Sequence, residues 1–105
     1  MTPPSSRADA AQYFGKFRAI VTDIHDPQQL GRIQIMIPDL GAMLSSWALP
    51  CVSASLPEVT GAALPSIGSR VWIEFEHGDI DFPIWTGCFY ADRSTVPPAL
   101  RTSAS

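Results

Sequence analysis

The stretch from Arg70 to Tyr90 narrows the fold more than any other. Two runs, Arg70-Val71-Trp72-Ile73-Glu74-Phe75-Glu76-His77 and Pro83-Ile84-Trp85-Thr86-Gly87-Cys88-Phe89-Tyr90, flank Gly78-Asp79-Ile80-Asp81-Phe82. Alternating apolar and polar residues on either side of a turn-forming segment predict a β-hairpin. Its aromatic residues fall on more than one face. A small β domain buries one face of each strand, so aromatics on the second face predict that something else covers it.

The remaining strands follow the same period of two. In Tyr13 to Ile24, Phe17, Ala19 and Val21 alternate with Lys16, Arg18 and Thr22, and Gly15 predicts a bulge or bend. His25-Asp26-Pro27-Gln28-Gln29-Leu30-Gly31 reads as a turn, with Gly31 supplying a positive φ at its exit. Ile33, Ile35 and Ile37 then face one way and Arg32, Gln34 and Met36 the other, until Pro38-Asp39 stops the strand. Gly41 to Ser46 is a connection, and Trp47-Ala48-Leu49-Pro50-Cys51-Val52 is a third strand, placed at an edge or bulge by Pro50. Ser53 to Ser69 reads as an ordered loop anchored by Leu56, Val59, Leu64 and Ile67. With the hairpin this makes five strands. A bent first strand and a long third connection predict an all-β, five-stranded OB-fold (Greek-key) barrel. The 105 residues divide into an N-terminal arm (1–12), one folded domain (13–91) and a C-terminal arm (92–105), both arms flexible. Pro97-Pro98 is expected to hold the second arm extended.

Composition and motif content count against several function classes. The formal net charge is −3 and Lys16 is the single lysine, which argues against nucleic-acid binding, where phosphate neutralisation supplies most of the affinity. No apolar run is long enough to cross a membrane, and the N-terminus lacks the features of a signal peptide. Cys51 and Cys88 lie in apolar runs and are expected to pack as small buried hydrophobes. With His25 and His77 they match no metal-ligand spacing, so neither metal nor cofactor is expected. Glu74, Glu76, Asp79 and Asp81 are expected to line a solvated strand face and shape a turn; they do not read as a catalytic carboxylate pair. No nucleophile elbow or phosphate loop occurs, and no catalytic residue is assigned.

An ordered series of short motifs carries a resemblance. It runs Tyr13-Phe14-Gly15-Lys16-Phe17-Arg18, Asp26-Pro27, Leu30-Gly31-Arg32-Ile33-Gln34-Ile35 and Ser46-Trp47-Ala48-Leu49-Pro50-Cys51. It continues through Leu64 to Glu76 and closes with Gly78-Asp79-Ile80-Asp81-Phe82-Pro83-Ile84-Trp85-Thr86-Gly87. This resembles the OB-fold domain of phage baseplate central-spike proteins and of type VI secretion spike proteins. The resemblance implies a homotrimer on the axis of a contractile tail or injection machine, docked beneath a trimeric baseplate hub protein and joined below to a spike or tip protein. It implies a virion location in the tail baseplate, with assembly in the host cytoplasm. Longer members continue into a lysozyme-like domain or a β-helix needle; the residues after Tyr90 carry neither pattern, so those activities are expected on other chains.

Interface candidates follow from both lines of reasoning. Tyr13, Phe14, Lys16 and Arg18, with Asp26 and Pro27 of the first turn, are candidates for contacts with the hub or a neighbouring chain. Trp72, Glu74 and Trp85 of the hairpin are candidates for contacts between subunits. If Val71, Ile73 and Phe75 line the core, Trp72 points outward with Glu74, as aromatic residues at protein interfaces do. The competing expectation is a single-stranded nucleic-acid-binding OB protein, whose aromatics would stack on bases.

Overall fold

The computed structural model describes residues 12–52 and 64–101. Six strands form one mixed sheet: β1 (Phe17–Asp23), β2 (Gln34–Ile37), β3 (Ala42–Met43), β4 (Leu49–Pro50), β5 (Arg70–Phe75) and β6 (Pro83–Phe89). Their order is β3-β2-β1-β5-β6-β4, with every pairing antiparallel except β4 against β6.

The five-stranded closed barrel is therefore corrected to an open six-stranded sheet. Two local causes account for the difference. The connection after Pro38 makes a single 3-10 turn, Pro38–Leu40, capped by left-handed Gly41, and returns as the short strand β3 beside β2. The run Trp47–Val52 does not form one strand. Ala48 exchanges two backbone hydrogen bonds with Ile33 (3.1 and 2.7 Å), after which Leu49–Pro50 turns to pair with β6. Pro50 has no N–H to give a ladder, so β4 stays two residues long. That isolated Ile33–Ala48 bridge touches the two sides of the sheet without closing it.

The predicted face of the core holds. Ala19 and Val21 of β1, Ile35 and Ile37 of β2, and Val71, Ile73 and Phe75 of β5 are buried together with Ile33 and Ala48. Residues at i, i+2 and i+4 of a strand share a face, so each of these sets lands in the core from one register. The hairpin pairs Arg70 with Phe89 through Phe75 with Pro83. An extra residue in β6 shifts the register between Trp72 and Ile73, and the buried Thr86 hydroxyl there has no hydrogen-bond partner. The bulge in β1 lies between Val21 and Asp23; Gly15 instead makes a left-handed bend ahead of the strand.

Tyr13, Phe17 and Phe75 close one end of the core, with ring centroids 5.5 to 6.3 Å apart. The Tyr13 N–H donates to the Gly78 carbonyl, and the Phe14 ring lies on Gly78. A Cβ at residue 78 would stand 2.8 Å from that ring, and its φ is +74°, so two separate constraints require glycine there.

Other expectations need correction. Both cysteines are exposed, because Cys51 lies beyond β4 and Cys88 near the end of β6. Leu64 packs against the core, but Ile67 is exposed and anchors nothing. Leu56, Val59 and the N-terminal arm up to residue 11 lie outside the described residues, as do residues 102–105. The C-terminal segment is not simply extended. It makes 3-10 turns at Arg93–Thr95, where the Asp92 carboxylate accepts the Ser94 N–H, and at Pro98–Leu100.

Ile35 is fully buried in this single core. Ile35→Ala is expected to lower unfolding free energy by about 2–5 kcal/mol, read from urea denaturation, whereas Ile67→Ala leaves it within about 0.5 kcal/mol.

Candidate functional site

Two polar or aromatic constellations stand out from the core. The first is the turn between β1 and β2. Asp26 is buried, and its carboxylate accepts hydrogen bonds from the backbone N–H groups of Gln28 (2.9 Å), Leu30 (2.9 Å) and Arg32 (3.3 Å). It also receives Nε (2.9 Å) and Nη2 (2.7 Å) of Arg32 in a two-pronged pair. The Arg32 guanidinium holds the Asp26 carboxyl well below the usual carboxylate range, helped by those N–H donors, and Asp26 in turn raises the pKa of Arg32. Arg32 also lies over the Trp47 ring, 5.8 Å from its centroid. Asp26 thus serves the turn and is not presented at the surface, whereas Pro27 beside it is exposed. Arg32 is the partner that the sequence reading passed over. Its spacing from Asp26 across a seven-residue turn was the available signal.

The second constellation is the outer face of the sheet. Arg18, Trp72 and Gly87 are cross-strand neighbours, as are Ile20, Arg70 and Phe89. Trp72 points outward, as expected, and its ring lies 4.5 Å from that of Phe89. The Arg18 guanidinium sits over both rings, 5.5 Å from Trp72 and 5.2 Å from Phe89. Lys16 and Glu74 form an exposed ion pair at 3.6 Å on the same side. The register carries the apolar character further across the face, through Met36 opposite Ile20 and Met43 opposite Met36, and through Leu49 and Ile84 beside Glu74. Met43 is 71% exposed and Leu49 45%, so this face is apolar and solvent-accessible among the described residues.

The other candidates are placed differently. Trp85 packs against the core and donates its indole N–H to the Gly31 carbonyl at 3.1 Å. Tyr13 is half-buried in the aromatic cluster, and Phe14 is 66% exposed at the hairpin end. Glu76 and Asp81 are exposed there, and the Asp79 carboxylate accepts the Asp81 N–H. The structure brings Arg18 and Trp72 together, and Lys16 and Glu74, and separates both pairs from the Asp26 turn.

Among the described residues, no three His, Cys, Asp or Glu side chains gather to hold a metal. A groove of about 600 Å³ runs between Pro65–Arg70 and Cys88–Asp92, and the one thiol lining it, Cys88, has its pKa pushed up by partial burial, away from the reactive thiolate.

Residues 17–90 match the type VI secretion system/phage-baseplate injector OB domain, and the chain belongs to that family. It is thus a structural component of the phage-baseplate and injection-system class. Comparison with curated proteins gives no match.

Because Asp26 has a lowered native pKa, its stabilisation is complete above about pH 4, the unfolded-state value, and is lost as pH falls through the native value. The urea midpoint should therefore fall below pH 4 in the wild type, and this part of the slope should vanish in Asp26→Asn. Asp26→Ala should lower Tm on the order of 10 °C at pH 7.

Proposed function

We propose that this chain is a trimeric adaptor in a tail baseplate, linking a trimeric hub protein above to a spike or tip protein below, without catalytic activity of its own. Family membership over residues 17–90 is the observation that carries this reading. The apolar outer face supports it, because a sheet face that meets only water would be polar. The action is geometric: three copies offer one surface three times to a threefold partner. The terminal arms extend the reach of each copy towards its neighbours. Assembly takes place in the host cytoplasm and the finished location is the virion.

The acidic balance of the chain, with Lys16 as its single lysine, opposes the nucleic-acid alternative. Native mass spectrometry of the protein alone and mixed with the hub protein of the same particle tests the proposal. A trimer, alone or on the hub, is expected; a single copy that stays single with the hub present overturns it. Titration with a single-stranded oligonucleotide is expected to give no tight, salt-steep binding. Purified peptidoglycan should not clear.

A further inference from the structure

We draw no further inference here: the strongest candidate, the apolar outer face of the sheet around Arg18, Trp72 and Phe89, carries nothing beyond the proposed function because nothing in the structure shows what covers it.

Discussion

The buried Asp26 carboxylate holds together more of this fold than its place in a turn suggests. A carboxylate removed from water needs donors on its lone pairs, and here backbone N–H groups and one guanidinium supply them. The bonds fix the path from β1 into β2, and so the register that sends Ile33, Ile35 and Ile37 into the core. They also fix Gly31 and Arg32, which reach the far side of the sheet. Gly31 accepts the Trp85 indole N–H, and a Cβ there would meet the Pro50 ring at 3.4 Å. Arg32 covers Trp47, just ahead of Ala48 and its bridge to Ile33. One anion thus ties the β1–β2 turn to β4 and β6, strands that never pair with β1 or β2.

This explains how an open sheet keeps a single core. A ladder running all the way round would hold the two sides with backbone bonds alone. Here the link consists of the Ile33–Ala48 bridge, the Trp85–Gly31 hydrogen bond and the Arg32–Trp47 stack. At the other end of the molecule the rings of Tyr13, Phe17 and Phe75 play the corresponding part by packing. The inner face is mostly aliphatic, and the two ends are fastened by aromatic and polar contacts.

Period-two patterning made the inner face readable. The alternation in Phe17–Val21, Ile33–Ile37 and Val71–Phe75 is unambiguous, and a strand can bury only one of its faces. The hairpin was legible for the same reason, and the outward direction of Trp72 followed from it. Edge structure was not legible. Whether Trp47–Val52 runs as one strand depends on which neighbour each residue finds, and only the bridge to Ile33 and the pairing with Ile84 and Trp85 decide that. The cysteines misled because apolar sequence neighbours do not report distance from the end of a strand. Asp26 looked like a surface residue because its acceptor role depends on Arg32, six residues away. The Arg18–Trp72–Phe89 stack needs the β1–β5–β6 order, which no local pattern states.

The edges of the sheet bear on how it associates. Long exposed edges invite strand addition from another chain, and natural sheets blunt them with short strands and proline. Both edges here are two residues long, and Pro50 stands in one of them. The two terminal strands themselves therefore offer little backbone for pairing, while the outer face offers rings, methionines and a guanidinium. Side-chain contact through a face depends on shape and charge, whereas strand addition would accept many extended sequences. A domain that must seat a fixed number of copies on one partner gains from that distinction, because shape and charge can reject the wrong register and an open edge cannot.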